Sequence, residues 1–236
     1  MPDQEVTVPA AMPGPLRHDG DPVWEARREA APFAIVAALL LAGLALFSWR
    51  RHWELDWVPG WLAWGLAAVP QLCVSVALVG NMGHRRTAER LLGLVVAAHV
   101  VVSVLLVATM VHPTGGVHVA GGQLLATAGV LWATGVIAFG VLYWEVDDGG
   151  PVHRAAMERR QPDFQFPQDE NPQLAADGWR PALWDYLYVS FTNSIAFSPT
   201  DAMPLTHRAK AVMTLESALS VVAVIVVAAR AINILG

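Results

Sequence analysis

The stretch Asp185-Tyr-Leu-Tyr-Val-Ser190-Phe-Thr-Asn-Ser-Ile-Ala196-Phe-Ser-Pro-Thr-Asp201 leads through Ala-Met-Pro204-Leu-Thr206-His-Arg-Ala-Lys210 into an apolar run that carries Glu216 near its start. Residues 181–198 are apolar enough to enter a bilayer. With Asp185, Ser190, Thr192, Asn193 and Ser194 among them, they are too short and too polar to cross it comfortably. Non-helical backbone at membrane depth is tolerated only where protein or water surrounds it. The order of a short semi-polar helix, a tight turn and a long apolar helix therefore predicts a re-entrant helix, with a cavity or a protein wall around residues 197–201. Trp184, Tyr186 and Tyr188 are placed to anchor its entry.

Working outward, the whole chain favours a bilayer as solvent. Of its 236 residues 55% are hydrophobic and 15% charged. Spans without Asp, Glu, Lys or Arg run from Ala31 to Trp49, Gly60 to Gly80, Leu91 to Val111 and Gln123 to Tyr143. Each is close to the ~20 residues that a transmembrane helix needs. A fifth span runs from Ala211 to Leu235 and carries Glu216 and Arg230. The fold class expected is all-α: a polytopic membrane protein of about five transmembrane helices plus one re-entrant helix. Residues 1–30 read as a disordered polar tail rich in proline, 31–144 as a four-helix transmembrane bundle, 145–182 as an acidic, proline-rich loop, and 183–236 as the re-entrant helix with the final span. Multi-pass insertion in the cell membrane follows, with the lipid bilayer as the main partner. Thirty polar residues precede the first apolar span and no small-residue cleavage site follows it, so the span reads as an anchor and not as a removable signal peptide.

The connections supply the topology. Trp49, Trp53, Trp57, Trp61 and Trp64 crowd the turn between the first two spans, where amphipathic indoles mark a membrane surface; an aromatic binding cage is the functional alternative. Arg27, Arg28, Arg85, Arg86, Arg90, Arg154, Arg159 and Arg160 fall on one side of the bilayer, against Arg50 and Arg51 on the other. By the positive-inside rule the N-terminus is cytoplasmic. Cys73 is the one cysteine and lies inside the second span, which excludes an intramolecular disulfide. The net charge of −5 comes from the segments that face water and gives no basic surface for nucleic acid. The acidic loop 145–182 reads as a solvated linker, or functionally as a means of concentrating cations at a pore mouth.

Residues from Asp185 to about Ala229 resemble the pore module of tetrameric potassium channels, and as far as Glu216 they follow without a gap its pattern [FY]-x-S-F-x-T-x-T-T-V-G-Y-G-D-x-x-P-x-[TS]-x-x-G-[RK]-x-x-A-x-x-E. Tyr188, Ser190, Phe191, Asp201, Pro204, Thr206, Lys210 and Glu216 fall on matching positions, and Ala209 stands where the pattern has glycine. The resemblance implies a pore loop packed on an inner helix, a homo-oligomer that is tetrameric if the pore is real, and monovalent cations as the permeant partners. The filter itself departs. Ala196, Phe197, Ser198, Pro199, Thr200 and Asp201 replace T-V-G-Y-G-D. Ser198 and Thr200 occupy glycine positions, and Pro199 has a fixed φ and no N–H, so a ring of stacked carbonyls is not expected. Hydroxyls of Ser198 and Thr200, or a ring of Asp201 carboxylates, would then line the path and discriminate weakly among cations. Phe166-Pro167 and Trp184 to Thr192 also resemble a group of bacterial multi-pass membrane proteins, which implies a shared architecture without an activity.

Two intramembrane polar positions stand apart. A charged Glu216 would cost ~2.5–3.5 kcal/mol on insertion scales unless paired or protonated. Its structural reading is a buckle between pore loop and last helix, with Lys210, Ser194 and Thr192 as candidate partners; ion binding or proton transfer is the alternative. His99, with Ser103 one turn later, reads as hydrogen-bonded to a neighbouring helix or as a proton relay. His112 and His118 are too loosely spaced for a metal site. No catalytic motif appears, and neither an enzyme nor a cofactor or metal is expected.

Orientation leaves three alternatives open. A cytoplasmic N-terminus and four spans start the pore-like loop on the cytoplasmic side, whereas potassium channels present theirs outside. Either the N-terminus is outside, or residues 181–198 truly span, or the loop is inverted. Weakly selective cation conduction is the leading functional expectation. A non-conducting scaffold or accessory subunit that retains the pore-module fold is the alternative, followed by a proton-coupled transporter using His99 and Glu216.

Overall fold

The computed structural model describes residues 22–52, 54–55, 58–59, 65, 68–69, 71–73, 95, 97–98, 101–102, 121–156, 162–196 and 202–235. They are mostly helical. The elements, in chain order, are α1 (Pro22–Arg50), β1 (Glu54–Leu55), β2 (Val58–Pro59), α2 (Gly121–Val146), α3 (Pro151–Ala156), β3 (Phe164–Gln165), α4 (Pro167–Glu170), α5 (Leu183–Ala196), β4 (Met203–Pro204) and α6 (His207–Leu235). Two-residue antiparallel pairings join β1 to β2 and β3 to β4. The second and third expected spans lie largely outside the described residues.

Residues 22–50 and 125–149 are long and apolar enough to cross a membrane. α1 starts earlier than composition suggests, since residues 22–30, expected in the polar tail, form its first turns. Pro22 opens it at a position where the missing N–H is no loss, and Glu25 meets the positive end of the helix dipole. Ala30, Ala34, Ala37 and Leu41 are buried in the bundle, and Glu29 accepts the N–H of Leu183. Those long-range contacts hold the first turns helical where local composition would not.

The segment 145–182 also differs from a solvated loop. α2 ends where Asp148, Gly149 and Gly150 take positive φ of 45°, 82° and 92°, conformations that glycine adopts freely and aspartate tolerates. Beyond this turn Phe164 and Phe166 are buried with Tyr143, Tyr186 and Leu183. The aromatic rings follow one another from Tyr143 to Phe164 (5.2 Å), Tyr186 (6.1 Å), Phe166 (5.3 Å) and Trp179 (6.0 Å). Such edge-on and tilted contacts are favoured by the ring quadrupoles. The described part of the acidic loop is thus a folded cap over the end of α2.

Local chemistry sets where α5 and α6 begin. Asp185 Oδ2 accepts the N–H of Ala182 (2.7 Å), as an acid three residues into a helix does for its cap residue. Thr206 precedes α6, and its Oγ1 accepts the N–H of Ala209 (3.2 Å), an ordinary N-cap. The same hydroxyl donates to Asp163. Both helices start beside the C-terminal end of α2: Tyr186 bonds Asp147 Oδ2 (2.5 Å), and Arg208 bonds Val146 O (2.5 Å). Deeper along α5, Ser190 reaches Val136 O (2.9 Å) and Ser194 accepts from Trp132 Nε1 (3.1 Å), so α5 runs antiparallel to α2. Gly140 permits the close approach, for a Cβ there would lie 2.7 Å from Leu187 Cδ2 and 3.0 Å from its Cα.

Candidate functional site

α2, α5 and α6 pack against one another, and their shared interface holds a carboxylic acid. Glu216, in the third turn of α6, is 2% exposed. Tyr143 of α2 donates its hydroxyl to Glu216 Oε2, and Ser190 of α5 contacts Oε1. Asn193 Nδ2 donates to Oε2 (2.6 Å) and to the Met213 carbonyl (3.1 Å), while its Oδ1 accepts from Ser217 (3.1 Å). Ser190 and Asn193 are spaced i, i+3 and so share a face of α5. Each helix of the trio contributes to one buried polar network, which is costly when half satisfied and rigidifying when complete.

The sequence anticipated a partner for Glu216, and the partners differ from the candidates. Lys210 is exposed on α6. Thr192 returns its hydroxyl to the carbonyls of Tyr188 and Val189 (3.0 Å each). Ser194 donates to the Phe191 carbonyl (2.8 Å). In the sequence Asn193 stands out by its polarity and Ser190 by its place in the frame, neither as a partner of Glu216. Tyr143 carries a sequence signal: it closes an apolar span with a hydroxyl that must find an acceptor once buried.

A second polar knot lies where α2 meets the cap. Asp147 Oδ1 accepts the N–H groups of Asp163 (2.6 Å) and Phe164 (3.0 Å), and its Oδ2 accepts the Tyr186 hydroxyl. Asp163 accepts from Thr206, from Arg208 (2.8 Å) and from the N–H of Asp148 (3.2 Å). Arg154, 6% exposed, donates to the carbonyls of Trp144 (2.8 Å) and Asp147 (2.5 Å) and lies over the Tyr186 ring. There a cation meets the negative end of the α2 dipole. The knot joins the end of α2, the cap and the starts of α5 and α6.

Of the filter-like residues, Ala196 is the exposed last residue of α5. Phe197, Ser198, Pro199, Thr200 and Asp201 lie outside the described residues, as does His99. Among the described residues no group of three or more His, Cys, Asp or Glu side chains is arranged to hold a metal ion. No family model, no curated protein and no solved structure matches this chain.

Proposed function

We propose that the chain is a channel-like integral membrane protein of the cell membrane, in which α5 is a re-entrant helix and residues 197–201 line a path for monovalent cations with weak selectivity. The observation that carries the reading is that α5 and α6 start at the same end of α2. A helix of 14 residues rises ~21 Å, short of the ~30 Å hydrocarbon core. The chain thus enters along α2, turns, comes back to the cap at β4 and enters again as α6. Of the residues that resemble the pore-module frame, Ser190 and Phe191 lie on α5, Pro204 on β4 and Glu216 on α6, with Thr206 capping α6 and Glu216 fastening it to α5, which supports this reading. A single loop per chain calls for four copies around one axis.

Cation flux from liposomes holding the purified protein tests the reading. Leak that is reduced by Asp201→Asn is expected; absence of leak, unchanged by that substitution, would sink it.

One observation favours a second reading, a non-conducting scaffold or accessory subunit. The polar side chains of α5 that face inward, Ser190, Asn193 and Ser194, are all engaged within the chain. Such a subunit is expected to be monomeric or dimeric in detergent, where the channel is tetrameric, and mass measurement separates the two.

A further inference from the structure

We propose that Glu216 is a proton-binding site: the carboxyl carries a proton on Oε1 and donates it to Ser190, whose hydroxyl donates in turn to the Val136 carbonyl. The inference follows from counting hydrogens and is independent of conduction. Asn193 has two amide hydrogens, and the Met213 carbonyl, which can only accept, fixes which end of the amide faces it. One hydrogen goes there and the other to Glu216 Oε2. The Tyr143 hydroxyl has Glu216 Oε2 as its acceptor, because its other neighbour, Asn193 Nδ2 at 3.4 Å, is itself a donor. Oε2 therefore receives two hydrogen bonds and carries no proton.

Ser190 is where the count fails for a carboxylate. Its Oγ lies within hydrogen-bond distance of both Glu216 Oε1 and Val136 O (2.9 Å), yet a serine has a single hydroxyl hydrogen. If Glu216 were ionised, one of these two contacts would set lone pair against lone pair inside a buried site. A proton on Oε1 gives each oxygen–oxygen contact its own hydrogen. Among the described residues no charged group offsets an anion here. The groups facing Glu216 are Tyr143 from α2 and Ser190 and Asn193 from α5, with Ser217 reached through Asn193 on α6 itself. Among the described residues Glu216 forms no salt bridge, and Lys210 is exposed to solvent. Tyr143 alone among these partners titrates, and it acts as a donor.

Infrared spectra of the full chain in lipid bilayers at neutral pH test this. Wild type minus Glu216→Gln is expected to show loss of a protonated-carboxyl C=O band, and Ser190→Ala to shift that band to higher frequency because its hydrogen-bond acceptor is gone. Glu216→Gln, whose amide can both donate to Ser190 and accept from Tyr143 and Asn193, is expected to melt within a few degrees of wild type, well above Glu216→Leu. Loss of carboxylate stretching bands in place of the C=O band, or a C=O band unmoved by Ser190→Ala, would overturn the assignment. Should Glu216→Gln fail to fold, the wild-type minus Ser190→Ala spectrum gives the same decision.

Discussion

Asn193 and Glu216 meet at 2.6 Å between Nδ2 and Oε2, and the same amide nitrogen reaches the Met213 carbonyl one turn earlier on α6. A single side chain of α5 thus holds both the backbone and a side chain of α6. Removing it takes one of two hydrogen bonds from Glu216 Oε2, the side-chain bond from the Met213 carbonyl, and the acceptor of the Ser217 hydroxyl.

Asn193→Leu is expected to destabilise the folded protein by roughly 1–3 kcal/mol, since it strips hydrogen bonds from Glu216, Met213 and Ser217 and leaves about one buried polar group unsatisfied. Asn193→Asp is expected to be at least as damaging, because it sets a second carboxyl against Glu216 and an oxygen against Met213 O. Thermal unfolding in detergent, followed by tryptophan fluorescence, reads both; an Asp variant as stable as wild type would contradict the geometry.

Gly140→Ala should separate α2 from α5. The new Cβ would meet the Leu187 side chain at 2.7 Å and its Cα at 3.0 Å, and overpacking of this kind costs about 1–3 kcal/mol. Combining it with Leu187→Ala removes the side-chain clash but not the backbone one. Partial recovery in a double-mutant cycle is the expected result.

Asp147→Ala should be among the most destabilising changes in the cap. It strands the N–H groups of Asp163 and Phe164 together with the Tyr186 hydroxyl, several kcal/mol at about 1–3 per buried group. Asp147→Asn keeps an acceptor for the two N–H groups, and the tyrosine can accept from the new amide, so it should be milder. Limited proteolysis within residues 147–182 would rank wild type, Asn and Ala in that order of resistance.

Arg208→Ala and Thr206→Ala touch the same carboxylate, Asp163, with different expected outcomes. Arg208 is 55% exposed in its ion pair, and exposed pairs contribute about 0–1 kcal/mol. Thr206 caps α6 and also donates to Asp163, so its loss should cost about 1–2 kcal/mol. Equal melting temperatures for the two variants would argue against this division.

What the sequence made legible follows from how far apart the interacting groups are. α1, α2 and α6 announce themselves because a long apolar run needs no knowledge of its neighbours. α5 was legible as a short semi-polar helix, and the need of Glu216 for partners followed from its place in an apolar helix. The partners themselves were not, since Tyr143 lies 73 residues away, Thr192 differs from Ser190 and Asn193 in the face of α5 it occupies, and Ser194, on their face, sits further along and meets Trp132 instead. The cap was hidden for a related reason. Asp147 and Asp163 find their donors mostly in backbone N–H groups and hydroxyls, which composition does not reveal, so a buried polar knot looks in sequence like a solvated acidic loop. The first turns of α1 were hidden likewise, because contacts from α2 and α3 keep them helical.

α5 is secured at more than one point, by the Tyr186–Asp147 contact at its entry, by the Ser190–Asn193–Glu216 contacts one to two turns on and by Ser194 against Trp132, and this has a mechanical meaning. A rod pinned at one point can swivel, but a rod pinned at two moves with its mount. α5 and the first three turns of α6 therefore act as one wedge against α2.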